Sequence, residues 1–171
     1  MEIERKYKIE CLNDLPENYR AFPCHAIEQA YLCTDPVVRV RREDDSYYLT
    51  YKSKGLMVRE EYNLPLTRES YEHLIQKADG NILTKKRYLI PLDDKPALTI
   101  ELDIFEGAFE GLMLAEVEFE SEQDAASFLP PGWFGKDVTF SGEYQNSRLS
   151  QMMMLTMFVM MPTFWTNCTF F

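Results

Sequence analysis

Basic residues are the minority charge in this sequence, in which 18 Lys and Arg stand against 28 Asp and Glu for a formal net charge of −10. An acidic surface repels phosphate backbones, so we expect no nucleic-acid partner, although a basic pocket inside an acidic protein is compatible with this balance. Histidine is also scarce, and His25 and His73 lie far in sequence from the charged strands described below. We therefore assign neither histidine a catalytic role.

Cysteine motifs and a secretory signal are absent as well. The four cysteines form no C-x-x-C pair and have no His or Asn spacing typical of thiol catalysis. A chain of 171 residues does not need disulfides, so we expect reduced, buried thiols. No cationic segment followed by an apolar run precedes the first predicted strand, so the predicted location is the cytoplasm. The cysteines are Cys11, Cys24, Cys33 and Cys168.

Domain linkers and internal repeats are missing too, and 171 residues fit one domain, which we place at residues 1–150. Residues 151–171 form a separate tail of unknown role, because residues 152–171 carry no charge and are rich in Met and Phe. The tail has the length of a membrane span, but Pro162, Asn167 and several threonines make it less apolar than most spans. A helix packed on the exterior of the domain, or a frame-shifted or disordered end, are the alternatives.

Alternation of charged and apolar residues with a period of two predicts about eight strands. Short turn segments at 44–45, 54–55, 92–95 and 107–111 separate them, and short connections favour antiparallel pairing. The predicted strands are 2–9, a segment around 29–32, 37–42, 47–54, 58–64, 85–90, 98–105 and 114–120.

Two helices interrupt the predicted strands. Thr67 is a predicted N-cap of a helix that ends before Asp79, with apolar residues on one face at positions 71, 74, 75 and 78. Ser121 opens a second, shorter helix that ends at Pro130. These helices could cover an apolar face of the sheet.

One face of the predicted strands carries charges, mostly in same-sign pairs at positions i and i+2. For any one strand, the ordinary interpretation is a face turned to water. Solvated faces mix in neutral polar residues, however, and paired carboxylates or paired arginines repel unless a counter-ion lies between them. The charged face contains Glu2, Glu4, Lys6, Lys8, Arg39, Arg41, Lys52, Lys54, Arg59, Glu61, Lys85, Arg87, Glu101, Asp103, Glu116 and Glu118.

Closure of the sheet into a barrel would place these charges inside, where a barrel of about eight strands has room for one small ligand. Buried charges cost several kcal/mol each unless they are paired or metal-bound, so water, metal and a polyanion are the expected contents. We therefore predict a mainly β (α+β) fold. It is a closed eight-stranded antiparallel β-barrel tunnel with a charged interior, flanked by a few helices.

The residue types suit a divalent cation and a polyphosphate. Mg²⁺ prefers oxygen ligands and is usually held by a few carboxylates together with substrate phosphates, while Arg and Lys stabilise charge on phosphoryl oxygens. Glu101 could orient the attacking water. Tyr31 is expected to pack in the core or at the rim rather than in the tunnel. The candidate metal ligands on these grounds are Glu2, Glu4, Asp103, Glu116 and Glu118.

The charged residues also form an ordered series of short motifs that begins with E-x-E-x-K at Glu2, Glu4 and Lys6. The others are R-x-R at Arg39 and Arg41, L-T-x-K at Leu49 to Lys52, R-x-E at Arg59 and Glu61, K-x-R at Lys85 and Arg87, E-x-D at Glu101 and Asp103, and E-x-E at Glu116 and Glu118. This series resembles the CYTH superfamily, the triphosphate tunnel metalloenzymes. The segments 130–135 and 144–146 are most similar to compact bacterial inorganic triphosphatases.

The resemblance implies an eight-stranded tunnel with metal on a carboxylate wall and triphosphate on a basic wall. The implied ligands of Mg²⁺ or Mn²⁺ are Glu2, Glu4, Glu61, Asp103, Glu116 and Glu118. The implied substrate-binding residues are Lys6, Lys8, Arg39, Arg41, Lys52, Arg59, Lys85 and Arg87, with Lys8 included for its inward parity alone. The implied catalytic residues are Glu4, Lys6, Lys52 and Glu101.

The implied activity is divalent-metal-dependent hydrolysis of inorganic triphosphate to pyrophosphate and phosphate. A class IV-type adenylyl cyclase and a thiamine triphosphatase are alternatives in the same fold, although the sequence shows little that would recognise a base. A non-catalytic polyphosphate-binding module would need the basic wall but not the two Glu pairs, both of which are present. The sequence leaves the oligomeric state open, a homodimer included, and membrane contact is not expected.

Overall fold

The structure is a computed structural model that describes residues 1–92 and 98–152. The part of the chain it describes forms nine strands and three α-helices. The strands are β1 (Glu2–Ile9), β2 (Cys24–Thr34), β3 (Val37–Glu43), β4 (Ser46–Lys52), β5 (Val58–Arg59), β6 (Glu61–Pro65), β7 (Asp79–Pro91), β8 (Thr99–Glu106) and β9 (Met113–Glu118). The helices are α1 (Arg68–Ile75), α2 (Glu122–Ser127) and α3 (Asn146–Ser150). Most of the turn expected at 92–95 and nearly all of the C-terminal tail lie outside the described residues.

The strands form one antiparallel sheet in the order β5-β1-β9-β8-β7-β2-β3-β4-β6. Its two edge strands, β5 and β6, are consecutive in the chain and are separated only by Glu60. Two hydrogen bonds stabilise the backbone at this break between the strands. The Ser53 amide donates to the Glu60 carbonyl at 3.0 Å, and the Glu60 amide donates to Ser53 Oγ at 2.9 Å. Counted as one interrupted strand, β5 and β6 close the sheet, and the predicted eight-stranded antiparallel barrel is confirmed.

The outward faces of the strands are apolar and are covered by the helices and loops. Tyr71 of α1 packs in one apolar cluster with Val40 of β3. Ala125 of α2 and Phe128, which follows this helix, pack in another cluster with apolar residues of β1 and β9. Both predicted N-caps form, since Thr67 Oγ1 accepts from the Ser70 amide at 3.2 Å and Ser121 Oγ accepts from the Asp124 amide at 3.1 Å. The apolar core therefore lies outside the barrel, and the barrel interior is left to the charged residues.

Arg5 is the polar exception on the outward face of β1. Its guanidinium donates to the carbonyls of Ala125 at 3.1 Å and Phe128 at 3.2 Å, and to the carboxylate of Asp137. Asp137 also accepts from the Thr139 amide at 2.9 Å. The arginine thus joins β1 to the end of α2 and to the segment that follows it.

Two of the four cysteines differ from the prediction that the thiols are buried. The free thiols of Cys24 and Cys33 are exposed, so the prediction of buried thiols is wrong for these two residues, which lie on β2 near its ends.

Within residues 1–92 and 98–152, none of the helices combines the length and apolarity needed to cross a bilayer. Residues 153–171, which include most of the predicted tail, are outside this finding.

Candidate active site

The inward faces of the strands enclose a cavity of about 380 Å³. Alternation along each strand places these side chains on the inner wall, as the residue pattern predicts. The charged residues of the lining are Glu2, Glu4, Lys6, Arg39, Arg41, Lys52, Arg59, Glu61, Arg87, Glu101, Glu116 and Glu118. The six bases and Glu116 are buried although they are charged, so ion pairs and hydrogen bonds must offset their lost hydration.

At one side of the cavity, Lys52 is shared by two carboxylates. Its Nζ lies 2.6 Å from Glu2 Oε1 and 2.7 Å from Glu61 Oε2. Burial raises the pKa of Glu2 from 4.5 to about 7, against the opposing effect of Lys52. Burial also acts to raise the pKa of Glu61, but Lys52 prevails and holds that pKa at about 2. The bases thus outweigh burial at Glu61 but not at Glu2, although Arg59 Nη2 also lies 3.2 Å from Glu2 Oε2.

A second cluster joins β1 to β9. Lys6 Nζ lies 2.8 Å from Glu116 Oε1 and 3.4 Å from Glu4 Oε1, and Arg59 Nη2 lies 3.1 Å from the same Glu4 oxygen. Burial acts to raise the pKa of Glu116, yet Lys6, Lys85 and the other nearby bases hold it well below its usual range. Burial acts to lower the pKa of Lys6, but Glu116 and Glu4 raise it above its usual value. Both groups are charged in this arrangement.

Arg39 and Arg41 are the least compensated bases of the lining. In the described residues their nearest carboxylate oxygens belong to Glu61, at 3.8 Å from Arg39 Nη2, and to Glu43, at 3.7 Å from Arg41 Nη1. Each of the other four lining bases has a carboxylate oxygen within 2.6–3.1 Å. Burial, with Arg39 and Arg87 nearby, lowers the pKa of Arg41 to about 10. Two adjacent cations without close counter-ions have charge available for an anion.

The carboxylates form like-charged pairs across the strands. Glu4 is the Cα partner of Glu118, and Glu101 is the Cα partner of Glu116. Burial, together with Glu61 and Glu4, raises the pKa of Glu118, and burial raises the pKa of Glu101 against the opposing effect of Arg87. Like charges placed directly opposite one another are unfavourable, and a cation between them would relieve the repulsion.

This donor set fits a hard divalent cation, because it consists of carboxylate oxygens on one wall with room for a phosphate ligand. Five of the six lining carboxylates pair with Lys or Arg. In residues 1–92 and 98–152, no three His, Cys, Asp or Glu side chains converge closely enough to hold a metal ion. Glu118, in contrast to Glu116, has no Lys or Arg nitrogen within 4.0 Å in the described residues. A cation that binds here would therefore have to displace the ammonium and guanidinium groups that pair with the other glutamates.

Three predicted site residues do not line the cavity. Asp103 and Lys85 are fully buried and are bonded to each other, and Asp103 also accepts from Arg87 Nε at 2.7 Å. Asp103 therefore fixes the guanidinium of Arg87, which does reach the cavity. Lys8 forms an ion pair with Glu10 at 3.0 Å.

The lining also contains neutral residues that the charge pattern did not select. Tyr31 was expected in the core or at the rim, and the structure shows it 2% exposed and yet on the cavity wall. Asn63 could have been found from its parity with Glu61, two residues before it. The segment 145–147 reaches the cavity from the start of α3, a position that strand alternation cannot reveal.

The fold and the site together define an antiparallel β-barrel with a densely charged interior. Residues 1–152 match the model of the CYTH domain, and the chain belongs to this family.

Two curated relatives are similar over most of the chain. The chain is 38% identical over 152 residues to an inorganic triphosphatase of Nitrosomonas europaea, which covers 87% of this chain and 96% of that protein. It is also 38% identical over 120 residues to an inorganic triphosphatase of Acetivibrio thermocellus, covering 67% of this chain and 72% of that protein.

Solved structures agree in fold. The crystal structure of the inorganic triphosphatase NE1496 superposes with a TM-score of 0.66 at 34% identity, covering 90% of this chain and 96% of the other. A putative adenylyl cyclase from Hippeastrum, described as having a dominant triphosphatase activity, superposes with a TM-score of 0.59 at 16% identity over 74% of this chain and 83% of the other. At this lower identity the likeness concerns the fold alone.

Proposed function

We propose that this chain hydrolyses inorganic triphosphate to pyrophosphate and phosphate inside its tunnel, with Mg²⁺ or Mn²⁺ as cofactor. The observation that carries the proposal is the described lining of the cavity, in which six bases and six carboxylates face a volume of about 380 Å³. Such a density of opposite charges suits a polyanion that arrives with a cation. The 38% identity to two inorganic triphosphatases supports the same substrate class.

Arg39 and Arg41 would hold the phosphate groups first, because their charges are the least compensated of the lining bases. Guanidinium groups can bind phosphoryl oxygens with two parallel hydrogen bonds, which also fixes the orientation of the phosphate. Lys6, Lys52, Arg59 and Arg87 would complete the basic wall by releasing their carboxylate partners in part. Lys8 and Lys85 remain weaker substrate-binding predictions, since neither lines the cavity.

Glu2, Glu4, Glu61, Glu116 and Glu118 line the cavity and would hold the cation. A bound cation would offset the negative charge that develops on the phosphoryl oxygens. Asp103, also predicted as a ligand, is buried behind the lining and would act by fixing Arg87.

Proton handling and charge stabilisation are assigned to four residues of the lining. Lys6 and Lys52 would stabilise charge on the phosphoryl oxygens, because both are buried and protected from water. Glu4 and Glu101 would accept hydrogen bonds from the attacking water and orient it toward a terminal phosphate. Their carboxylates are held by Arg59 and Arg87, respectively.

The neutral part of the lining favours inorganic triphosphate over a nucleotide. Tyr31 is the single aromatic side chain of the described lining, and it is 2% exposed. A nucleobase is usually bound by stacking and by hydrogen bonds at its edge. We therefore expect ATP to be the poorer substrate, and cyclic nucleotide not to form.

A substrate panel tests the proposed function. Inorganic triphosphate, thiamine triphosphate, ATP and longer polyphosphate are each incubated with Mg²⁺ or Mn²⁺, and phosphate, pyrophosphate and cyclic nucleotide are scored. The expected result is the fastest release of phosphate from inorganic triphosphate. Equal or faster turnover of ATP, formation of cyclic AMP, or binding of polyphosphate without turnover would each contradict the proposal.

A further inference from the structure

Arg39 and Arg41 of β3 differ from the other four bases of the cavity lining in their cross-strand neighbours. Lys6 is the Cα partner of Glu116, Lys52 of Glu61, Arg59 of Glu2, and Arg87 of Asp103. Arg41, in contrast, lies between Gln29 of β2 and Tyr48 of β4, and Arg39 lies between Tyr31 and Thr50. Both arginines are therefore flanked on each side by neutral residues.

Gln29 makes the direct contact with Arg41. Gln29 Oε1 accepts from Arg41 Nε at 3.0 Å and from Arg41 Nη2 at 2.8 Å, and Gln29 Nε2 donates to the Tyr31 hydroxyl at 3.2 Å. Because a guanidinium has donors only, the amide oxygen must face Arg41 and the amide nitrogen must face Tyr31. The orientation of the amide is thereby fixed at both ends.

Gln29 itself is fully buried and is not part of the cavity wall, whereas Arg41 and Tyr31 both are. The guanidinium has five N–H donors, and Gln29 engages two of them, which leaves three for other acceptors. The Tyr31 hydroxyl accepts from Gln29, so its own proton is available to an oxygen in the cavity.

We propose that Gln29 is a positioning residue that orients Arg41 and Tyr31 toward the substrate and, being neutral, leaves the charge of Arg41 for a phosphate. The inference rests on the proposed function, because it names the phosphate of that substrate as the ligand of Arg41. A carboxylate in the same place would hold the guanidinium equally well but would compete with the phosphate for its charge. Neutrality and hydrogen-bonding capacity are thus both required at position 29.

Two substitutions separate these requirements. Gln29→Glu keeps the shape and the acceptor but adds a charge, and Gln29→Met keeps the length but removes the hydrogen bonds. Gln123→Glu is the matched control, because it makes the same chemical change at an exposed position of α2. We measure the dissociation constant of inorganic triphosphate by calorimetry in EDTA, kcat and KM with Mg²⁺, and the melting temperature of the ligand-free proteins.

The expected result for Gln29→Glu is about 10- to 100-fold weaker triphosphate binding and a similar rise in KM, the range that hydrogen bonds to charged groups contribute. Gln29→Met should bind triphosphate more tightly than Gln29→Glu and lose mainly kcat, because Arg41 keeps its charge but not its orientation. The control should match the wild type in all three measurements. A Gln29→Glu protein with an unchanged dissociation constant, or a Gln29→Met protein with unchanged kcat, would overturn the proposal.

Melting of the ligand-free proteins tests the inference without any substrate. Gln29→Glu gives Arg41 a counter-ion and should melt above Gln29→Met, which leaves buried donors unpaired. The reverse order would overturn the inference even if the wild type hydrolyses triphosphate. Conversely, a wild type that binds triphosphate without turnover contradicts the proposed function, while the affinities of the variants still test Gln29.

Discussion

At the residue scale, Lys52 lies between two carboxylates and carries one charge to offset two. The pKa of Glu2 is raised from 4.5 to about 7 by burial, so Glu2 is mostly protonated below about pH 7 in the folded protein without ligand. Because the pKa of Glu2 is higher in the folded than in the unfolded chain, its contribution to stability is complete below the unfolded pKa. This contribution is lost as the pH rises through about 7. Ionised Glu2 is therefore unfavourable for folding in the empty tunnel.

Glu2→Gln should accordingly raise the melting temperature of the ligand-free protein, since the amide is neutral at every pH. The difference from the wild type should grow between about pH 4.5, the ordinary pKa of the side chain, and about pH 7, its pKa in the folded protein, and should stay constant above that. Glu17→Gln, at an exposed position, is the control and should show no such growth. A difference that is constant with pH would mean that burial of Glu2 does not carry this cost.

The two walls should respond differently to loss of charge. Glu118→Gln keeps the size of the side chain but removes a carboxylate assigned to the cation, so activity should fall and added Mn²⁺ should restore part of it. Arg41→Ala removes a phosphate contact and should lower the rate by about 10²–10³-fold, by analogy with loss of one oxyanion-stabilising donor. Phosphate release is measured across a metal titration. Rescue of Arg41→Ala by metal, or none for Glu118→Gln, would show that the walls are assigned wrongly.

At the scale of elements, strand alternation was enough to predict the barrel and most of the charged residues that line its cavity, whereas irregular positions were not predictable. The break between β5 and β6 depends on Glu60 bonding to Ser53, a contact seven residues distant that no local pattern encodes. Asp103 and Glu101 have the same parity, yet only Glu101 reaches the cavity, because Lys85 and Arg87 enclose Asp103. The cross-strand register decides which arginines lack a carboxylate partner, and the sequence of a single strand does not determine its register.

Arg5 provides a test of how α2 is held to the barrel. Arg5→Met keeps the apolar stem but removes three hydrogen bonds, so the free energy of unfolding should fall by about 1–3 kcal/mol. Arg68→Met is the control, because Arg68 is exposed on α1 and water screens its ion pair with Glu72. Urea unfolding measures both. Equal losses in the two variants would show that the Arg5 bonds do not hold α2.

At the scale of the whole molecule, the charged core is inside the barrel and the apolar core is outside it. The last described residues belong to the apolar core, since Met152 packs against the cluster that includes Leu83, Phe105 and Leu149. Asn81 Nδ2 also donates to the carbonyls of Ser150 at 3.2 Å and Met152 at 2.7 Å. The family match also extends to residue 152, two residues beyond the domain boundary drawn from the sequence.

A protein ending at Met152 should keep its activity, because every residue assigned to the site precedes that point. Its kcat and KM for inorganic triphosphate are compared with those of the full chain, and circular dichroism verifies that it folds. A folded but inactive truncated protein would place part of the site in residues 153–171.

Phosphorus NMR of inorganic triphosphate mixed with the full-length protein and Mg²⁺ tests the central claim most directly, because it follows substrate and both products in one sample. The account predicts loss of the triphosphate signals with equal molar gain of phosphate and pyrophosphate, and no reaction when EDTA is added first. Unchanged triphosphate signals with Mg²⁺ and with Mn²⁺, or undiminished turnover in EDTA, would contradict it.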